Sequence, residues 1–263
     1  MLRILSDLHL FDARTLVREL AQLDPLLSGV ETLVLNGDTC EMRRGVTAAN
    51  LEAMQAYFRS RVPHVVFVTG NHDPGISDTH ELMLADHRIW VIHGDVFFDD
   101  LTPWARQRAE LVRRVAEVLA ETPGADYANL DVRIRVAREV ARRETDFPDR
   151  TTRSWSAHLA WTWQTFFPPR QPLAMLRSWR ELPRRAATLA AAQRPTAQVV
   201  VTGHVHFPGV WRLGPAVINT GSFFSPLGGN LVDVGGATVS VRKIARRGRD
   251  FVPGRTVAEI RLR

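Results

Sequence analysis

Val65-Val66-Phe67-Val68-Thr69-Gly70-Asn71-His72-Asp73 is the stretch around which the rest of the chain is read. Its first four residues are a β-branched and aromatic run, the pattern of a buried strand. The run ends in glycine and then presents an amide, an imidazole and a carboxylate in succession. Open α/β sheets place ligands at the C-terminal ends of their strands, so this segment reads as one wall of a site.

Outward from that stretch the same arrangement recurs. Met1 to Ser6 reads as a strand that empties into Asp7-Leu8-His9, and period-2 geometry predicts that Asp7 and His9 point the same way. Thr32-Leu33-Val34-Leu35 reads as a second buried strand, followed by Asn36-Gly37-Asp38. Ile89-Trp90-Val91-Ile92 reads as another, delivering His93-Gly94-Asp95. The intervening segments have helical spacing: Asp12 through Leu16, Val17, Leu20 and Leu23 up to Pro25, and Thr47 to Arg61 with Leu51, Met54, Phe58 and Val62 as its inner stripe. A short helix is expected near Thr79 to Ala85.

From about 102 to 195 the chain becomes rich in arginine and alanine with helical periodicity and several prolines, which predicts an inserted helical cap. The β pattern resumes at Gln198-Val199-Val200-Val201-Thr202, followed by Gly203-His204-Val205-His206, whose histidines are again spaced to point one way. Gly209 to Arg242 reads as consecutive hairpins. Ala245 to Arg249 reads as a mobile basic tail, and Thr256 to Leu262 as an edge strand.

With 263 residues, 45% of them hydrophobic, the chain has enough apolar material for a full core, and a single domain over 1–263 with one insertion is expected. No stretch has the length of a membrane span and no leader pattern is present, so the expected setting is cytoplasmic. Cys40 is the only cysteine, which excludes an intrachain disulfide. The formal net charge is +6, and Lys243 is the only lysine. An arginine-carried excess suits anionic partners, whether phosphorylated metabolites, nucleic acid or an acidic membrane surface, and equally reflects a preference for arginine codons.

Collected from the strand ends, Asp7, His9, Asp38, Asn71, His93, His204 and His206, with His72 and Asp73, mix oxygen and imidazole donors. That donor set suits Mn, Fe or Zn better than Mg or Ca, and the lack of thiolates argues against a structural zinc. Seven donors exceed the needs of one ion. Two ions about 3.5 to 4 Å apart, bridged by a carboxylate and a hydroxide, use all seven and are suited to phosphoryl displacement. Asp38 is the expected bridge.

In this order, Asp7-x-His9, Gly37-Asp38, Gly70-Asn71-His72-Asp73, His93-Gly94 and Gly203-His204-x-His206 resemble the five motifs of the calcineurin-like metallophosphoesterase family. The resemblance implies an α/β fold, a four-layer αββα sandwich with metals at the strand ends. It implies one divalent ion held by Asp7, His9, Asp38 and His206, and a second by Asp38, Asn71, His93 and His204. It also implies that His72 donates a proton to the leaving oxygen or stabilises transition-state charge, with Asp73 keeping it cationic.

Ser6-Asp7-Leu8-His9-Leu10, His93-Gly94-Asp95 and the helical insertion are similar to the UDP-2,3-diacylglucosamine pyrophosphohydrolases of lipid A synthesis. Those enzymes usually carry arginine where this chain has His72. A pyrophosphate bond expels a good leaving group, whereas an alkyl ester expels an alkoxide and benefits from an acid such as His72. A phosphomonoesterase or phosphodiesterase is therefore expected, acting on a phosphorylated small molecule or lipid headgroup. A lipid pyrophosphohydrolase, a nuclease and a non-catalytic binding module on the same fold are the alternatives, and no aromatic-basic nucleic-acid motif supports the nuclease.

Trp155, Trp161, Trp163, Phe166 and Phe167, beside Arg150, Arg153 and Arg170, read either as a lid over an apolar substrate tail or as the core of the cap. His64, His80, His87 and His158 match no motif and read as surface or helix-end residues. Cys40 reads as packing and Asn219 to Ser222 as a turn, unless proximity to the metals gives either a further part.

Overall fold

Two β-sheets lie face to face, each covered on its outer side by helices. The structure, a computed structural model, describes residues 1–42, 45–122, 124–145 and 170–263. The strands are β1 (Leu2–Leu5), β2 (Thr32–Asn36), β3 (His64–Val68), β4 (Glu81–Leu84), β5 (Ile89–Ile92), β6 (Val199–Thr202), β7 (Gly209–Arg212), β8 (Ala216–Asn219), β9 (Asn230–Gly235), β10 (Thr238–Arg247) and β11 (Asp250–Arg261). The helices are α1 (Asp24–Leu27), α2 (Ala48–Arg61), α3 (Arg108–Ala120), α4 (Leu130–Thr145) and α5 (Arg170–Gln193). One sheet has the order β11-β10-β9-β1-β2-β3 and the other β4-β5-β6-β8-β7. In the first β1, β2 and β3 run parallel, and in the second β5, β6 and β8.

Strand alternation explains the four layers. Ile4, Val34 and Val68 point into the space between the sheets and meet Val91, Val201 and Ile218 of the other sheet. Their neighbours Leu5, Leu33, Leu35 and Phe67 point outward, against Leu26, Met54 and Phe58 of α1 and α2. On the far side Trp90, Ile92 and Val200 pack under Leu111, Ala137 and Leu182 of α3, α4 and α5. A strand buried on both faces needs apolar residues at every position, and this is the source of the unbroken apolar runs in the sequence.

Helix α2 begins where its cap predicts. Thr47 accepts a hydrogen bond from the Asn50 backbone at 3.2 Å, while the Asn50 side chain reaches back to the Thr47 N–H. The helix expected from Asp12 to Leu23 is absent. That segment is turns and a single 3-10 turn at Leu20–Leu23 leading into α1, in which Pro25 occupies the first turn instead of ending a helix. The physical reason is local: the Asp12 carboxylate takes the Arg14 N–H at 2.7 Å, and the Thr15 hydroxyl donates to the Leu8 carbonyl, so side chains compete with helical hydrogen bonding.

Residues near Thr79 to Ala85 form an edge strand, not a helix, because pairing of Glu81 to Ile92 and Leu84 to Ile89 supplies hydrogen bonds that a segment too short to nucleate a helix lacks. The hairpins between Gly209 and Arg242 divide between the sheets, β7 and β8 in one, β9 and β10 in the other. Ala245 to Arg249 is not a mobile tail: β10 continues through it to a turn at Gly248, and Arg246 lies 5.1 Å from the Phe251 ring centre. The expected edge strand at Thr256 to Leu262 is the end of β11, which forms the rim of its sheet. Trp155, Trp161, Trp163, Phe166, Phe167, Arg150, Arg153 and His158 lie outside the described residues, and Arg170 opens α5.

Candidate metal centre

All nine site residues lie beyond the C-terminal ends of β1, β2, β3, β5 and β6. They do not get there by strand alternation. Asp7 and His9 have φ of 52° and 47°, Asp38 50°, and His204 and His206 71° and 55°. Left-handed backbone is costly for non-glycine residues and persists where surrounding bonds over-determine it. Here the Asp7 N–H donates to the Gly37 carbonyl at 3.1 Å, the His9 N–H to the Asp38 carbonyl at 2.9 Å, and the His204 N–H to the Asp7 carboxylate at 3.0 Å. Glycine is required beside these loops: a Cβ at Gly70 would fall on Asp38, and one at Gly203 on the Asp7 carboxylate.

The donors form two groups that share Asp38. Asp7, His9, Asp38 and His206 have ligand atoms within 4.8 Å of one another, and so do Asp38, His93 and His204. His206 Nε2 is 3.2 Å from Asp7 Oδ1, and His9 Nε2 is 3.8 Å from Asp38 Oδ2. On the other side His93 Nε2 is 3.2 Å from Asp38 Oδ2 and 3.3 Å from Asn71 Oδ1. His204 and His206 therefore serve different groups, contrary to the expectation that they point one way.

Backbone carbonyls set the tautomers. A carbonyl only accepts, so His93 Nδ1–H donates to Asn36 at 3.1 Å and His204 Nε2–H to Leu101 at 2.8 Å, which leaves the opposite ring nitrogen of each for a cation. Burial pulls the His93 imidazole down, but Asp38, with Asp7 and Asp95, overrides it and holds the group at about 10. Burial and then the neighbouring His93 push His204 down to about 4. Burial likewise lowers His9. Asp7 and Asp38 are almost wholly buried carboxylates, 0% and 1% exposed, and His9 Nε2 faces His206 Nε2 at 3.0 Å. Buried carboxylates ringed by imidazole nitrogens are a donor set that a pair of divalent cations satisfies, so these residues fit such a pair.

His72 stands at the rim, with its Nε2 4.0 Å from Asp38 Oδ2. Its Nδ1 meets Glu41 Oε2 at 2.6 Å. The partner expected for this imidazole was Asp73, but that carboxylate instead accepts backbone N–H groups from Gly70 at 2.7 Å, Asp38 at 3.0 Å and Thr39 at 2.6 Å, tying the loop after β3 to the loop after β2. Burial, then the nearby Asp38 charge, raises Asp73 to about 6. Glu41 was missed in the sequence. Its one signal is its place three residues after Asp38, and in a loop a single glutamate reads as solvated.

Phe224 was also missed: its ring stacks on His9, centres 4.6 Å apart, and the Arg14 guanidinium lies over the same ring, 5.4 Å from its centre. The Asn219 to Ser222 turn lies against the site as a support, since the Asn219 amide donates to the Gly203 carbonyl and Thr220 contacts Ser6. Cys40 is fully buried in the outer core, and burial raises its thiol well above the usual range, which favours packing. His64 and His87 are exposed, and His80 bonds Thr69 Oγ1 at 2.8 Å.

The fold and the site together define the class. A family model described as calcineurin-like phosphoesterase matches residues 2–208, and the chain belongs to that family. Solved structures with a similar course include Vps29 from Chaetomium thermophilum, 13% identical with a TM-score of 0.46 over 100% of this chain and 98% of that one. A dimetal phosphatase from Danio rerio is 13% identical, with a TM-score of 0.44 over 96% of this chain and 97% of the other. No curated protein matches the sequence.

Proposed function

We propose that the protein is a dinuclear metal-dependent phosphoesterase that hydrolyses a phosphomonoester or phosphodiester, one domain over 1–263 with the helical insertion at about 102–195 and a cytoplasmic setting. The observation that carries the reading is the sharing of Asp38 between two donor groups with a carboxylate-paired imidazole beside them. Asp7, His9, Asp38 and His206 would hold one ion, and Asp38, Asn71, His93 and His204 the other, with manganese favoured and iron or zinc also suited to the donors. Such a pair supplies Lewis acidity toward phosphoryl oxygens and activates water.

The remaining work belongs to the chain. Glu41 accepts from His72 Nδ1–H, so the second proton of the imidazolium sits on Nε2, the nitrogen nearer Asp38. From there His72 donates to the oxygen of a departing alcohol, which needs a proton more than a departing phosphate does. Asp73 acts one step back, by holding the loops that carry Asp38 and Asn71. The substrate class that fits is a phosphorylated small molecule or lipid headgroup. Among the described residues no helix is long and apolar enough to cross a membrane.

The test is metal analysis of the purified protein together with hydrolysis of a chromogenic phosphate monoester, a diester and a pyrophosphate. Two bound ions and faster turnover of an ester than of the pyrophosphate support the reading. Preference for the pyrophosphate points to the lipid pyrophosphohydrolase instead, and no metal with no turnover points to a binding module.

A further inference from the structure

Helix α4 carries one charge on the face that it buries. Leu130, Ala137, Val140 and Ala141 are packed beneath the cap, and among them Arg138 is only 4% exposed. Arginine usually buries its stem and leaves its head in water. Here the head ends inside the protein: Nη1 donates to the Gly70 carbonyl and Nη2 to the Asp95 carboxylate, which is itself fully buried. Nε has no partner among the described residues, so the position of this buried head is set by the two acceptors that its Nη1 and Nη2 reach.

Those acceptors are not neighbours in sequence. Gly70 precedes Asn71 on the loop after β3, and Asp95 follows His93 by two residues on the loop after β5. Asn71 and His93 are the pair whose Oδ1 and Nε2 stand 3.3 Å apart. One side chain from the cap thus spans the two segments that deliver them. Gly70 has no slack on its other side, because its Cα is packed against Asp38. The planar guanidinium presents donors in a fixed fork, which a lysine ammonium, a point charge on a flexible stem, does not reproduce.

We propose that Arg138 is a positioning residue of the cap: by holding Gly70 and Asp95 together it sets the separation of Asn71 and His93, and so the affinity of the second ion. The inference rests on the dinuclear reading of the site. It assigns the insertion a part in building the metal centre. Asp7, His9 and His206 come from the loops after β1 and β6, outside the clamp, and of the first ion's donors only the shared Asp38 stands beside Gly70, so the second ion, with Asn71 and His93 on clamped segments, depends on it more than the first.

The test titrates metal-free protein with Mn2+ by calorimetry, alongside thermal melting, for the wild type, Arg138→Lys, Arg138→Met and Asp95→Asn. The expected result is two ions in the wild type and a second ion bound roughly 10–100-fold more weakly in Arg138→Met, with the first weakened far less. Arg138→Lys, which reaches one acceptor at a time, and Asp95→Asn, which keeps a carbonyl acceptor, should fall between and carry the test if Arg138→Met does not fold. A purely structural role would lower the melting temperature with both affinities kept or both reduced alike, and either outcome overturns the proposal. Fewer than two ions in the wild type would overturn the reading of the site itself, whereas two ions bound equally well by wild type and variants overturn only the inference.

Discussion

At the scale of single residues, the proposed chemistry rests on the pairing of His72 with Glu41 more than on any other contact. A carboxylate on Nδ1 fixes the ring and directs its other nitrogen toward the site, as the proposed general acid requires. His72→Ala should keep its metal content and lose about 10²–10⁴-fold in the hydrolysis of alkyl phosphates, with a smaller loss on aryl esters whose leaving groups are acidic. Glu41→Gln should show the same dependence on leaving group with a smaller loss, because the imidazole stays in place but loses the carboxylate that orients it. Steady-state kinetics across a leaving-group series checks both variants. A uniform loss across the series would assign His72 to charge stabilisation instead of proton transfer. His72 was legible because it lies in an ordered motif, while Glu41 was not, because its significance is a 2.6 Å contact with a residue 31 positions away.

At the scale of elements, what could be read depended on how local the deciding interactions are. α2 was legible because Leu51, Met54, Phe58 and Val62 recur at helical spacing within one segment, and its start is fixed by a cap built from residues three apart, Thr47 and Asn50. Thr47→Ala should cost about 1 kcal/mol and lower the melting temperature by roughly 2–4 °C without changing metal content, as thermal denaturation would show. The segment from Asp12 to Leu23 has helical spacing yet is not helical, because Asp12 and Thr15 spend their side chains on the backbone nearby. β4 has no strand signature of its own and is recruited by β5. Asp7 and His9 were placed correctly in the chain but for the wrong reason: left-handed turns, not pleating, bring them together.

At the scale of the whole molecule, the protein's two tyrosines report on opposite outer layers. Tyr57 lies on α2 and Tyr127 between α3 and α4. Burial, then the bond to Asp24, raises Tyr57 to about 12, and burial raises Tyr127 to about 12. The phenol of an unfolded chain ionises at about 10. Folding therefore favours the neutral forms, and their contribution is complete below pH ~10 and lost as the pH rises toward ~12. Absorbance titration should show no tyrosinate at pH 10.5 in the native protein and a large fraction in denaturant; an early native transition of one residue would show that its layer is loose.

By itself the sequence determined the α/β class, the buried strands β1, β2, β3, β5 and β6 and the set of candidate ligands, because unbroken apolar runs and strand-end motifs are properties of contiguous residues. Only the tertiary structure decided which strands share a sheet, that Glu41 and not Asp73 faces His72, and that Arg138 reaches from α4 to Gly70 and Asp95. Each of these is a contact between segments tens of residues apart, and its energy comes from burial and pairing that exist only once the sheets have closed on one another.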